Sequence, residues 1–220
     1  VQPSFRPPVP RPATIDGTAG PLEARIEDPT PGSVPVACGV VCHPHPLYGG
    51  TMQNKVVHTL ARAMQQAGAP TVRFNFRGVG SSAGHYDAGV GELDDALAAC
   101  AWARAHWRCE ALWLAGFSFG AAVALEAAAT ASPSALVTVA PPVGRIIVAP
   151  VAPPSCPWLV VQGDRDELVD VVTVRRWVAE FAVPPRLLEV PGAEHFFHGR
   201  LGELRGAVLA FLSAGERGGA

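Results

Sequence analysis

"WLAGFSFGAAVA", residues 113–124, passes from an apolar run into a stretch of small residues, with Ser118 between Gly116 and Gly120. The run before the serine reads as a buried strand and the run after it as a helix apolar on almost every face, so Ser118 stands at the turn between them. Gly-x-Ser-x-Gly at such a turn can hold a hydroxyl out beyond the end of a sheet, because small residues on either side let strand and helix approach closely. In a chain with 23 glycines the pentapeptide alone is a weak signal. The elements around it decide its meaning.

Outward from Ser118 the pattern alternates. Strands are expected at 36–42, 70–76, 111–116, 135–140, 157–163 and 186–192, and helices at 54–68, 92–107, 119–130, about 170–182 and about 199–213. An amphipathic hairpin is expected at 13–28. Strands alternating with helices at this spacing imply an α/β fold with a mainly parallel central sheet and helices on both faces. Functional residues in such a sheet gather beyond the carboxyl ends of its strands.

With 220 residues, of which 49% are hydrophobic and only 16% charged, the chain can bury one sizeable core. A single domain over 13–215 is expected, after a Pro-rich arm at 1–12 and before a tail at 216–220. The formal charge is −2 and Lys55 is the only lysine, so no basic block offers a footprint for nucleic acid or an anionic membrane. Apolar runs break well before the ~18 residues of a spanning helix, and the start, "VQPSFRPPVPRP", lacks the apolar core of a signal peptide. A cytoplasmic protein is the expectation; oligomeric state is left open. The five cysteines, Cys38, Cys42, Cys100, Cys109 and Cys156, are odd in number and lack CxxC spacing, which favours free thiols. Cys42, His43 and His45 lack a second ligand cluster, so ordinary loop residues are expected there and no metal.

A serine hydroxyl is a poor nucleophile until a base takes its proton, and the base needs an acid to orient it. Both follow strand ends downstream. "VVQGDRDELVD" offers Asp164, Asp166 and Asp170, and "VPGAEHFFHGR" offers His195 and His198. His58 and His106 sit in helical patterns and read as scaffold. "GVGSSA" with Gly78 imitates a dinucleotide fingerprint, but "GHYDAGVG" keeps the chain in a loop where that motif must open a helix.

"CHPHPLYGGTMQNKVV", "FNFRGVGSSAG", "GFSFG", "QGDRDELV" and "EHFFH" together make the chain, after its Pro-rich arm, resemble a small bacterial serine hydrolase of the α/β-hydrolase superfamily, related to dienelactone-hydrolase-like proteins. Chain order Ser, Asp, His is the order of that superfamily. The resemblance implies Ser118 as nucleophile, His195 as base and, from the second aspartate of the G-D-x-D pattern, Asp166 as orienter; Asp164 reads as a turn carboxylate. True dienelactone hydrolases carry cysteine where this chain has Ser118, so their substrate does not transfer. The oxyanion donors it implies are the N–H of Phe119 and of a residue in His43-Pro44-His45-Pro46-Leu47. Proline has no N–H, and alignment favours His45, with Leu47 as fallback. Leu47, Tyr48, Lys55, Arg77 and His198 are expected at the pocket rim.

The implied activity is hydrolysis of a small ester or thioester through an acyl-enzyme, without metal or cofactor. A small peptidase or amidase with the same triad and a catalytically silent binding protein are the alternatives. The stretch 141–157, where a cap is usually inserted, carries six prolines and is too short for a helical cap domain, so no cap and an open, shallow pocket are expected.

Overall fold

The computed structural model describes residues 8–29, 32–146 and 152–215. Its eight strands form one sheet in the order β1-β2-β4-β3-β5-β6-β7-β8. The hairpin β1 (Arg11–Gly17) and β2 (Gly20–Glu27) is antiparallel and joins β4 (Thr71–Phe74) antiparallel. From β4 onward, β3 (Cys38–Cys42), β5 (Leu112–Phe117), β6 (Ala135–Val139), β7 (Trp158–Gly163) and β8 (Arg186–Val190) run parallel.

The central strands are buried on both faces, and their alternation assigns each residue to one side. In β5, Leu112 and Leu114 enter one core with residues of α2 (Val90–Trp107), α3 (Phe119–Ala131) and α4 (Val171–Ala179). Trp113, Ala115 and Phe117 enter the other, with α1 (Lys55–Gln66) and α5 (Leu201–Gly215). Such two-sided burial explains why these strands read as unbroken apolar runs rather than as alternation. No helix of the described residues is long and apolar enough to cross a membrane.

Two boundaries differ from the sequence expectation for physical reasons. Strand β1 begins at Arg11, inside the expected Pro-rich arm, because Pro12 opposite Arg25 lies on an edge strand, where a missing N–H costs no ladder bond. Residues 1–7 of that arm and the expected tail at 216–220 lie outside the described residues. Helix α2 starts at Val90 rather than Glu92, since Glu92 Oε2 accepts the N–H of the N-cap Gly89 at 2.7 Å and so fixes the preceding turn. The imitation dinucleotide motif is a closed loop: Gly78 N–H donates to the Ala83 carbonyl at 3.0 Å and Ala83 N–H to Pro21 at 2.8 Å.

After β3 the chain moves to β4 on one side, then returns to β5 on the other, so the loops leaving β3 and β5 diverge across a switch point. His43 fixes one lip of that crevice. Its Nδ1–H donates to the Pro44 carbonyl at 2.6 Å, and its Nε2 accepts the N–H of Phe76 at 3.0 Å, tying the end of β3 to the end of β4. Acceptance at Nε2 requires the neutral ring, and burial, outweighing the Pro44 hydrogen bond, pushes its pKa down to about 4. All five cysteines are free, and burial raises the Cys38 and Cys100 thiols to about 12.

Between the unfolded value of His43, 6.5, and about 4, the unfolded chain binds a proton that the folded chain refuses, so the contribution is complete above 6.5 and is lost as pH falls through this window. Its size is on the order of 3 kcal/mol. In urea unfolding between pH 7 and pH 4.5, His43→Gln is expected to lower stability at pH 7 and to flatten its decline toward acid by about one proton. An undiminished acid slope in the variant would place the titration elsewhere.

Candidate active site

The turn at Ser118 is built by exclusion. A Cβ at Gly116 would lie 2.0 Å from the Gly120 carbonyl oxygen, and one at Gly120 would lie 2.5 Å from the carbonyl oxygens of Cys42 and His43. Strand β5, helix α3 and the end of β3 therefore touch backbone to backbone. Ser118 takes φ 53° and ψ −120°, a conformation rare for a side-chain-bearing residue, and its N–H donates to Val139 at 2.9 Å. Its own carbonyl accepts the N–H of Ala121 at 2.8 Å and starts α3.

The structure brings Ser118, His195 and Asp166 together from three separate strand ends. His195 Nε2 lies 3.1 Å from Ser118 Oγ, and His195 Nδ1 lies 2.8 Å from Asp166 Oδ2. A carboxylate can only accept, so Nδ1 carries the ring proton and Nε2 is left to accept from the serine hydroxyl. The His195 and Asp166 side chains are almost completely removed from solvent, while Ser118 is half-buried. Burial alone would push the Asp166 carboxyl up; the hydrogen bond and charge of His195, with the N–H groups of Val169 and Leu168, outweigh it and hold the carboxyl below its usual range.

Residues not singled out in the sequence surround these three. Gln162 Nε2 donates to Asp166 Oδ2 at 2.9 Å and to the Val169 carbonyl at 3.0 Å. Asp166 Oδ1 accepts from Leu168 and Val169, each at 2.8 Å, so both carboxylate oxygens are aimed by fixed donors. Glu167 Oε2 accepts the N–H of His195 at 3.1 Å, and Phe117 packs on the imidazole with ring centres 5.1 Å apart. Asp164 points away: its Oδ1 accepts the N–H of Gly192 at 2.6 Å. Asp170 caps α4 through Thr173.

On the opposite lip, His45 precedes the 3₁₀ turn Pro46–Tyr48 and Phe119 is the first residue of α3. The N–H groups of His45 and Phe119 have no partner among the described residues, whereas Leu47 N–H donates to His45 Nδ1 at 3.3 Å. The rings of His45 and Phe119 pack 4.9 Å apart. Leu47 and Tyr48 stand exposed on the turn, at 66% and 86%.

The remaining rim expectations fare differently. Lys55 is exposed on the first turn of α1, and His198 is exposed beside Glu194 at 3.6 Å. Arg77 is not a rim residue: it is buried, its N–H, Nε and Nη2 all donating to Asp95 at 2.8–3.0 Å. An arginine directly after a strand reads as exposed in sequence. The buried Asp95, one turn into α2, reverses that by satisfying its fork bidentately. A 670 Å³ cleft lined by Pro153, Cys156, Trp158, Pro184, Arg186 and Phe211 lies at the amino ends of β7 and β8, away from Ser118.

Residues 16–149 match the family described as X-Pro dipeptidyl-peptidase (S15 family). An uncharacterized protein of Rickettsia prowazekii is 33% identical over 208 residues, 90% of this chain and 87% of its own length. Among solved structures, an α/β serine hydrolase without a lid from Xanthomonas campestris is 45% identical over 96% of both chains, with a TM-score of 0.87. An α/β serine hydrolase homologue from Coxiella burnetii is also 45% identical, over 94% of this chain and 99% of its own, with a TM-score of 0.86. Fold, strand-end loops and relatives agree: the chain belongs to the S15 peptidase family of the α/β-hydrolase superfamily.

Proposed function

We propose that the protein is a serine hydrolase of small esters or thioesters, working through an acyl-enzyme. The observation that carries this reading is the continuous hydrogen-bonded path from Ser118 Oγ through His195 to Asp166, with the His45 and Phe119 N–H groups left without a partner among the described residues. Ser118 Oγ attacks the carbonyl carbon while its proton passes to His195 Nε2. Asp166 holds the imidazole and stabilises the imidazolium. The N–H groups of His45 and Phe119 receive the oxyanion, where fixed dipoles in a dry site are worth most. Collapse expels the alcohol or thiol with the His195 proton, and water repeats the sequence on the acyl-serine.

The S15 match favours a second reading, cleavage of a peptide bond by the same three residues. Hydrolysis of p-nitrophenyl butyrate, an acyl thioester and an Ala-Pro p-nitroanilide by one preparation separates the two. A kcat/KM highest on the anilide would replace the esterase reading.

Three variants test the chemistry. Ser118→Ala is expected to lower kcat by about 10⁴-fold or more with the fold retained. Asp166→Asn should cost about 10⁴-fold and Asp164→Asn far less, since only the former removes the imidazole's orienter. Failure of Ser118 to take up a fluorophosphonate would instead favour a silent binding protein.

Access to the site sets the expected substrate size. Between β6 and β7 the described residues form no helix, and residues 147–151 lie outside them. With Leu47 and Phe196 exposed at 66% and 40%, little wall is available to bury a long acyl chain. Each unburied CH₂ forgoes about 0.8 kcal/mol. Across p-nitrophenyl acetate, butyrate, octanoate and palmitate, kcat/KM is expected to peak at the short end and not to rise on adding emulsified lipid. A maximum at palmitate would reveal a cover for the chain.

A further inference from the structure

His45 is tied at every polar atom except one. Its carbonyl accepts the N–H of Tyr48 at 3.1 Å and of Gly50 at 3.0 Å, and its Nδ1 accepts the N–H of Leu47 at 3.3 Å. A backbone N–H only donates, so Nδ1 is bare and the neutral ring carries its proton on Nε2. Nε2 lies 3.2 Å from the Tyr86 hydroxyl oxygen, which therefore accepts. What remains without a partner among the described residues is the His45 backbone N–H, the group proposed above as an oxyanion donor.

Tyr86 is itself held from outside the 3₁₀ turn. Glu92, wholly buried at the start of α2, accepts the N–H of Asp87 at 2.9 Å and of Gly89 at 2.7 Å. On the other side of Tyr86, the backbone of His85 and Tyr86 lies within 3.3 Å of where a Cβ at Gly78 would stand, so only glycine lets the loop fold back there. The Tyr86 ring packs on His45 at 5.1 Å and on Phe119 at 6.0 Å, touching the residues of both unpartnered N–H groups.

From this arrangement we infer that Tyr86 is a positioning residue of the oxyanion pocket: its phenol oxygen holds the orientation of the His45 ring, whose tautomer the Leu47 N–H already sets, and thereby aims the His45 backbone N–H. The inference rests on the Ser118 hydrolase reading and deepens it. Tyr86 acts through His45 and forms no bond with the reacting atoms. Removing an oxyanion donor outright costs about 10²- to 10³-fold in kcat, so loosening one should cost about 10- to 100-fold.

Tyr86→Phe removes the phenol oxygen and keeps the ring. Its expected signature is a kcat on p-nitrophenyl butyrate lowered about 10- to 100-fold, KM within about twofold and an unchanged melting temperature. In nitrogen NMR of the imidazoles, the His45 Nε2–H should lose the shift of a hydrogen-bonded donor, while the tautomer held by Leu47 is kept. His45→Asn supplies the second arm, because its short amide can still accept from Leu47 but cannot reach Tyr86. Adding Tyr86→Phe to His45→Asn should then cost nothing further. Independent, multiplicative losses in the two variants would overturn the inference, as would wild-type kcat in Tyr86→Phe once the hydrogen-bond shift of His45 Nε2 is lost. Persistent turnover by Ser118→Ala would instead overturn the hydrolase reading beneath it, so the two failures are distinguishable.

Discussion

Three backbone segments meet with no side chain between them at Gly116, Gly120 and the Cys42 and His43 carbonyls, and everything at the carboxyl end of the sheet is arranged around that contact. Because β5 and α3 approach so closely, Ser118 must take a positive φ, and its hydroxyl leaves the sheet edge. Because Gly120 rests on the end of β3, the start of α3 lies against the loop that carries His45, whose ring packs 4.9 Å from that of Phe119. A methyl group at either glycine would separate both pairs, and the backbone it meets has nowhere to move.

Electrostatic stabilisation is unevenly distributed around this contact. Arg73 with Glu27, and Arg77 with Asp95, are buried pairs on β4 and the loop after it. They tie β2 of the hairpin to β4, and α2 to the loop after β4. Breaking either would strand a buried charge, so each is costly to disturb even if its net contribution is small. Around Asp166 the same logic works at smaller scale: three donors fix one carboxylate, which fixes one imidazole.

Element order and the positions of Ser118, His195 and the aspartates were legible because strand-helix alternation and strand-end loops depend on patterns short enough to read directly. The resemblance then selected Asp166 over Asp164, and the structure gives the two different partners. What sequence could not display were contacts that exist only after folding. Gln162 looks like one more strand residue until its amide meets Asp166, and Glu167, exposed on its loop, nevertheless accepts the N–H of His195. Arg77 misled for a related reason: its partner, Asp95, lies 18 residues on, in α2. Pro12 misled through composition, since prolines grouped in an arm gave no hint that one faces the open side of an edge strand.

The placement of β8 carries one more consequence. It is the outermost strand on its side, hydrogen-bonded only to β7, mostly half-exposed, and braced by the exposed pair Arg175 and Glu189. His195 follows it by five residues, whereas Ser118 hangs from the middle of the sheet. Edge elements with few buried contacts open at lower free energy than central ones. The molecule is thus divided into a firm half that holds the hydroxyl and a looser margin that holds the imidazole. On warming, separation of the two is expected to precede collapse of the core, so that inactivation and loss of tertiary structure become two events.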